Sequence, residues 1–151
     1  MKHVKKSVLL WYSPHEMYTL VTAVRDYPKF LPWCERAEVL DERADGVTAR
    51  LQLHYAGVRH AFTTRNTHVA DRSVDVDLVD GPFSLLDGKW QFVPIAVPGE
   101  PKAQACRIEF EMRYAFSNRA LEAVVSPVFD RVANTFVESF VQRAEAVYGA
   151  R

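Results

Sequence analysis

The C-terminal part of the chain carries one long apolar stripe, and this stripe limits the folds that the sequence can adopt. Apolar residues recur at helical spacing between Ser117 and Tyr148, and Gly149 then predicts the end of a helix. Such a helix extends roughly 40 Å, which is enough to lie across a whole sheet. Pro127 removes one backbone hydrogen bond, so a bend is expected between Ala123 and Pro127. The stripe consists of Leu121, Val125, Val128, Val132, Phe136, Phe140 and Val147.

The middle of the chain, from Glu35 to Phe116, has the pattern of about six antiparallel strands. In the segments Ala49 to Tyr55 and Cys106 to Phe116, apolar residues alternate with polar or charged ones, which gives each strand one apolar face. Asp87-Gly88 predicts a bulge that curves the sheet. Turn signals separate the strands at Asp45-Gly46, Ala56-Gly57, Asp71-Arg72, Asp80-Gly81-Pro82 and the loop from Pro94 to Pro101.

The N-terminal segment predicts one more strand, over residues 3 to 12, and a short helix. Ser13-Pro14-His15-Glu16 combines an N-cap serine, a proline at the first helical position and a glutamate three residues after the cap. The helix is expected to end at Tyr27-Pro28, because the residue before a proline avoids the α region. Its buried stripe consists of Met17, Leu20, Val21 and Val24.

Together these elements predict an α+β fold in a single domain over residues 1–151, with the order β-α-α-β6-α. A curved antiparallel sheet of about seven strands, wrapped around the C-terminal helix, would bury both apolar surfaces in one core. The pattern fits a solid core and an apolar cavity equally well, so both remain open at this point. The large residues that face this space are Tyr55, Phe62, Trp90, Phe92, Phe110, Tyr114 and Phe116 in the sheet, and Phe129, Phe136 and Phe140 in the helix.

The segment RDYPKFLPWC, from Arg25 to Cys34, follows the first helix and brings three aromatic rings and two prolines together. It is too short and too rich in proline for a core helix, and its aromatic residues do not alternate as in a half-buried strand. We therefore expect Phe30, Leu31, Pro32 and Trp33 to form a stiff rim at one end of the space between sheet and helix. A stiff rim loses little conformational freedom when it meets a ligand or a partner.

The composition excludes several classes of function. Lys plus Arg and Asp plus Glu are balanced at 19 each, so net charge does not favour DNA or an anionic membrane. There is no glycine-rich phosphate motif, the five histidines lack metal-site spacing, and no serine has a GxSxG context. We therefore expect no metal, no required cofactor and no catalytic residue.

The cysteines and the hydropathy pattern indicate a compartment. Cys34 and Cys106 show no CxxC spacing, and a domain of this size does not need a disulfide. No apolar stretch is long enough for a signal-peptide core or a membrane span. We expect a soluble, untargeted protein of the reducing cytoplasm, with at most peripheral membrane contact.

Four segments spread along most of the chain form a further pattern. They are YPKFLPWC at Tyr27 to Cys34, DGPFSLLDGKWQF at Asp80 to Phe92, YAFSNRALEAVVSPVF at Tyr114 to Phe129, and SFVQRAEAVYG at Ser139 to Gly149. Together they resemble the coenzyme Q-binding START family of the polyketide cyclase/dehydrase superfamily, and within it the bacterial branch of RatA-type ribosome association toxins. The resemblance implies a helix-grip fold (START/Bet v 1-like), in agreement with the predicted architecture, and it favours the cavity over the solid core.

The first function that the resemblance implies is non-enzymatic binding of a lipophilic ligand, most of all ubiquinone, in support of respiration. A polyisoprenoid tail buries a large apolar area at about 25 cal/mol per Å², which an uncharged aromatic wall can accept. The predicted ligand-binding residues are Tyr27, Phe30, Leu31, Pro32, Trp33, Tyr55, Phe62, Trp90, Phe92, Tyr114, Phe129, Phe136 and Phe140.

The alternative that the resemblance implies is a toxin that binds the large ribosomal subunit and blocks subunit joining, with a small antitoxin protein as a further partner. In this alternative, arginines on the outer face of the sheet would contact phosphate groups. The competing interpretation, which the neighbouring carboxylates favour, is a solvated face on which the charges balance each other. These arginines are Arg36, Arg43, Arg50, Arg59 and Arg65, and the carboxylates are Glu35, Glu38, Asp41 and Glu42.

A further alternative is a cyclase or aromatase-like enzyme that orients a polyketide in the same kind of pocket. Tyr55 and Tyr114 are the plausible inward hydroxyl groups, and the sequence indicates no partner that would tune the pKa of either. Fold kinship alone does not establish such chemistry, so this alternative ranks last.

Overall fold

The computed structural model of the protein describes residues 1–102 and 104–151. The strands are β1 (Lys2–Leu10), β2 (Cys34–Arg43), β3 (Gly46–Tyr55), β4 (Val58–Val69), β5 (Ser73–Asp80), β6 (Phe83–Ile95) and β7 (Ala105–Phe116). The helical segments are α1 (Pro14–Thr22), a 3₁₀ helix (Val24–Lys29) and α2 (Arg119–Tyr148). The predicted element order is confirmed.

The seven strands form one antiparallel sheet in the order β1-β7-β6-β5-β4-β3-β2. Consecutive strands from β2 to β7 are neighbours, and β1 pairs with β7 at the far edge. At the β3–β4 hairpin, Ala56 and Gly57 have φ values of +52° and +80°, which is the left-handed pair that a tight two-residue turn requires. The sheet predicted from alternation and turn signals is thereby confirmed.

The register of the sheet corrects one prediction about its curvature. Asp87 pairs with Arg113 and Gly88 with Met112 in unbroken register, so the expected bulge at Asp87-Gly88 is wrong. Gly88 instead faces the interior, where its missing side chain leaves space beneath α2. The register shifts lie between Cys34 and Arg36, Val39 and Asp41, Thr63 and Thr64, and Phe83 and Leu85.

The N-terminus of α1 has the predicted capping box. The Glu16 amide donates to Ser13 Oγ at 3.1 Å, and the Ser13 amide donates to Glu16 Oε1 at 2.9 Å. The predicted end of the helix at Tyr27-Pro28 is wrong, because α1 ends at Thr22 and the chain continues in the 3₁₀ helix. Pro28 lies inside this 3₁₀ helix, which ends at Lys29.

Helix α2 crosses the concave face of the sheet as one continuous element. The Asn118 side chain accepts a hydrogen bond from the Leu121 amide at 2.9 Å and so caps the helix, which begins at Arg119, two residues after the predicted Ser117. Pro127 lies on the exposed side and does not restart the helix. The predicted stripe is correct except at Val147, which is 47% exposed. After Phe140 the next buried residue of α2 is Ala144, four residues further on. Val147 therefore lies outside the buried face of the helix.

One aromatic core joins the sheet to α2. The Phe129 ring lies 4.8 Å from the rings of both Phe83 and Tyr114, and the Phe140 ring lies 5.2 Å from that of Trp90. Cys34 and Cys106 are buried free thiols rather than a disulfide, as expected. The concave face of the sheet is thus largely covered by rings, which positions the small space described next.

Candidate ligand-binding interior

A cavity of about 70 Å³ lies between the concave face of the sheet and α2. It has room for roughly two water molecules and is well below the few hundred Å³ of a typical small-molecule site. Of the predicted ligand-binding residues, those that line it are Tyr27, Trp33, Phe62, Trp90, Phe129 and Phe136. The structure therefore brings this part of the predicted set together around a small apolar cavity.

The other predicted interior residues fill the core around the cavity. Phe92, Tyr114 and Phe140 are all fully buried, but none of them lines the cavity. Phe140 lies against Tyr27 and Phe136, with ring centroids 5.4 Å and 5.1 Å apart. The sequence left two alternatives for the space between sheet and helix, a solid core and a cavity. Most of that space is a packed core.

A surface groove of about 240 Å³ lies next to the cavity, between the RDYPKFLPWC segment, the end of β3 and α2. Pro32 and Tyr55 of the predicted set line it, and the Arg131 guanidinium lies 5.9 Å from the centre of the Tyr55 ring. Trp33 and Val132 line both the groove and the cavity. The Trp33 side chain therefore stands between the interior and the surface.

The RDYPKFLPWC segment is more deeply buried than a rim. Leu31 is 1% exposed and Trp33 is 5% exposed, while Pro32 between them faces solvent and Phe30 is half-buried. The Trp33 carbonyl accepts a hydrogen bond from the His54 amide at 2.8 Å, which fixes the segment to β3. Leu31 and Trp33 therefore belong to the wall of the core, whereas the sequence predicted them with Phe30 and Pro32 as a stiff rim.

Two polar residues of the cavity wall, Thr64 and Asn66, are absent from the predicted set. Both are buried on β4, and the Thr64 hydroxyl donates to Asn66 Oδ1 at 2.8 Å. A signal for them exists in the sequence, since strand alternation counted from the inward Phe62 places residues 64 and 66 on the same face. The polar composition of the whole segment hid that signal.

Among the residues that the structure describes, no charged side chain lines the cavity. Tyr27 is its ionisable residue; burial raises the pKa of Tyr27, and its hydroxyl donates to the Val21 carbonyl at 2.5 Å. Within the described residues, Trp33 Nε1 is buried and has no hydrogen-bond partner. The cavity is therefore apolar and neutral, with a few uncharged hydrogen-bonding groups in its wall.

Tyr114 has a partner that the sequence did not indicate. Its hydroxyl donates to Asp130 Oδ1 at 2.6 Å, and Lys2 and Ser126 also donate to the Asp130 carboxylate. Burial alone would raise the pKa of Asp130, but these hydrogen bonds hold it below its ordinary value, whereas burial and Asp130 raise the pKa of Tyr114. Neither Tyr114 nor Asp130 lines the cavity. The pair joins β7 to α2, and the Lys2–Asp130 ion pair joins β1 to the same point of α2.

Most of the predicted phosphate-binding arginines on the outer face already have partners. Arg43 donates to Thr48 Oγ1 at 3.0 Å and to two backbone carbonyls. Ion pairs join Arg36 to Glu38 at 3.2 Å and Arg59 to Glu35 at 3.0 Å. Arg50 and Arg65 form no ion pair with any residue that the structure describes and are exposed. These two are the cations of the set that remain available to a partner.

An antiparallel sheet that grips one long helix, with apolar space between them, defines a START-like helix-grip protein. The chain belongs to the polyketide cyclase/dehydrase and lipid transport family, whose model matches residues 10–141. The ribosome association toxin RatA of Escherichia coli K12 is 38% identical over 151 residues, which span 100% of this chain and 92% of that protein.

Two further comparisons lie at greater distance. The mitochondrial coenzyme Q-binding protein COQ10 homolog B of Xenopus laevis is 28% identical, over 95% of this chain and 58% of that protein. The crystal structure of the Zhui aromatase/cyclase from Streptomyces sp. R1128 superposes with a TM-score of 0.80 at 15% identity, covering 99% of both chains. This structural likeness shows the fold alone.

No helix in the described ranges is long and apolar enough to cross a membrane.

Proposed function

We propose that the protein binds a neutral lipophilic ligand between the sheet and α2, with an isoprenoid quinone such as ubiquinone as the leading candidate. The observation that carries the proposal is the uncharged aromatic cavity, which shares Trp33 and Val132 with a surface groove. The family description, which includes lipid transport, and the distant coenzyme Q-binding relative support the same class of ligand.

Ligand entry requires the interior to open, because a cavity of about 70 Å³ does not hold a quinone ring. A rotation of Trp33 would join the cavity to the groove and give a continuous site of roughly 300 Å³, which is the lower end of the range for small-molecule sites. In this arrangement the headgroup lies inside, and the isoprenoid tail leaves along the groove past Tyr55 and Val128. No step of this proposal uses a catalytic residue or a required cofactor.

Lipid mass spectrometry tests the proposed function. Delipidated protein is incubated with a bacterial membrane extract, recovered, and its bound lipids are identified against a sample of denatured and washed protein. The proposal predicts an isoprenoid quinone at near-stoichiometric amount. Recovery of no quinone, or of the same lipids from both samples, would refute it.

A second candidate, association with the large ribosomal subunit, is favoured by the full-length similarity to the RatA toxins. In this case the outer face of the sheet would contact ribosomal RNA, and Arg50 and Arg65 would supply the phosphate contacts. Because Arg36 and Arg59 are occupied by Glu38 and Glu35, they would contribute less. The two candidates use opposite faces of the sheet, so one protein can be tested for both.

Sucrose-gradient sedimentation of ribosomal subunits tests the second candidate. Added protein is expected to reduce the fraction of joined ribosomes, and the double substitution Arg50→Glu and Arg65→Glu is expected to abolish that effect. Arg36→Glu, at a residue that is already ion-paired, is the matched control and should have a smaller effect. Unchanged subunit joining with the unsubstituted protein would exclude this function.

A further inference from the structure

The two edges of the sheet are built differently, and β2 forms the better protected one. The pairing of β2 with β3 contains two register shifts. The 3₁₀ helix lies beside β2, and an ion pair between Arg25 and Glu42 at 2.8 Å joins the two segments. Bulges and covering segments are devices by which proteins keep an edge strand from pairing with another chain.

Strand β1, at the other edge, has an unbroken register. It runs from Lys2, opposite Tyr114, to Leu10, opposite Cys106, without a shift, and no proline interrupts it. On one side β1 pairs with β7, and on the other side it pairs with no strand that the structure describes. The backbone groups on that open side are available to pair with an added strand.

Two lysines determine which strand this edge accepts. Lys5 lies on the outer face of the sheet opposite Glu111, and Lys6 lies on the inner face with the buried Val4. Neither lysine forms an ion pair within residues 1–102 and 104–151, and Glu111 Oε1 is already contacted by His3 Nε2 at 2.6 Å. A second copy of β1 or another basic strand would add like charges, which destabilise a strand pair. An acidic strand gains instead from both lysines.

Beyond the lysines, the same edge exposes large apolar side chains. Leu9 is 69% exposed on the outer face of β1, and Trp11, which follows the strand, is 63% exposed. An edge built only to repel other chains is expected to be short, bulged or charged along its length. The long, unbroken β1 with apolar side chains at its end therefore favours docking over simple protection.

We propose that β1 is the docking edge for an extended acidic segment of a partner protein, which adds an eighth strand to the sheet of seven. Backbone hydrogen bonds hold the segment, and its side chains give the specificity. Its carboxylates lie opposite Lys5 and Lys6, and its apolar side chains cover Leu9 and Trp11. This inference is independent of the proposed function, because residues 2–10 line neither the cavity nor the groove.

A nuclear magnetic resonance titration with synthetic peptides tests the inference. The first peptide has nine residues, the length of β1, with capped ends, alternating valine and threonine, and two adjacent glutamates at its centre. The second peptide carries two lysines in place of the glutamates. The glutamate peptide is expected to shift the amide resonances of β1 and to slow their hydrogen exchange, with β2 unaffected. The lysine peptide is expected to leave both edges unchanged.

Charge reversal tests the role of the two lysines. The double substitution Lys5→Glu and Lys6→Glu is expected to weaken binding of the glutamate peptide about tenfold at low salt, because two attractive cross-strand pairs become repulsive. The same variant should gain binding of the lysine peptide. Lys29→Glu makes the same change in the 3₁₀ helix beside the other edge and should retain binding of the glutamate peptide. If the double variant does not fold, Lys5→Glu at its exposed position is tested alone, and an unchanged affinity contradicts the inference.

The remaining outcomes are equally decisive. Equal binding of both peptides by the unsubstituted protein, or shifts at β2 as large as those at β1, would overturn the assignment. A dimer that pairs through β1 in sedimentation equilibrium would also overturn it, because the occupant would then be a second copy of the chain. Failure of the glutamate peptide to bind would overturn the inference and leave lipid binding in the interior untouched.

Discussion

Replacing Trp33 with alanine is expected to lower the free energy of unfolding by about 4 kcal/mol. The indole is 5% exposed and contacts the rings of Phe62 and Phe136, with centroids 6.5 Å and 6.2 Å away. A buried tryptophan removes about 150–250 Å² from water, and at about 25 cal/mol per Å² this amounts to roughly 4–6 kcal/mol. Alanine retains a small part of that area, and no hydrogen bond of Nε1 within the described chain is lost. The value lies inside the range of about 3–5 kcal/mol that is typical for such truncations.

Urea denaturation followed by far-ultraviolet circular dichroism measures this change without relying on tryptophan fluorescence. Trp11→Ala is the matched control, because Trp11 is 63% exposed and its loss should change the free energy of unfolding by less than about 0.5 kcal/mol. A Trp33→Ala value below about 1 kcal/mol would refute the burial of the segment. Phe30 and Pro32 would then belong with Trp33 to an exposed rim.

Three further predictions concern groups outside the cavity. Tyr114→Phe removes a hydrogen bond to a carboxylate and should lower the free energy of unfolding by about 1.5–3 kcal/mol in urea denaturation. The folded-state pKa of Asp130 lies below its ordinary value, so its contribution to stability is present above about pH 4 and is lost as the pH falls further. The thermal unfolding temperature of Asp130→Asn should therefore fall less steeply with acid than that of the unsubstituted protein. Equal slopes would contradict this. Burial raises the pKa of Cys34 and of Cys106 to about 11, so both thiols should react slowly with a thiol reagent at pH 8 and rapidly only in denaturant.

The elements that the sequence predicted best are those set by neighbouring residues. The capping box at Ser13 and Glu16 needs only four consecutive residues, and the hairpins need a short turn between alternating strands. The helix-grip arrangement then follows, because the sheet and the long helix each have one apolar face and bury both faces by packing together. The position of the bulges was harder to predict. A bulge depends on the pairing of two strands, and the sequence around Gly88 describes only one of them.

The site was predicted in part, because its composition is local and its packing is not. Aromatic side chains identified the wall of the cavity, but whether the rings leave space depends on how Phe136 and Phe140 of α2 meet Trp90 of β6. The Tyr114–Asp130 hydrogen bond joins β7 to α2, and nothing in either segment indicates the other. Strand alternation beyond Phe62 was the signal available for Asn66.

The indole N–H resonances in a ¹H–¹⁵N correlation spectrum test the central claim, lipid binding in the interior, most directly. The chain has three tryptophans: Trp33 lines both groove and cavity, Trp90 lines the cavity, and Trp11 is exposed and lines neither. On titration with decylubiquinone, the account predicts that the Trp33 signal shifts most, that the Trp90 signal shifts as well, and that the Trp11 signal remains in place. A titration that leaves Trp33 and Trp90 unchanged, or that shifts only Trp11, would contradict an interior binding site.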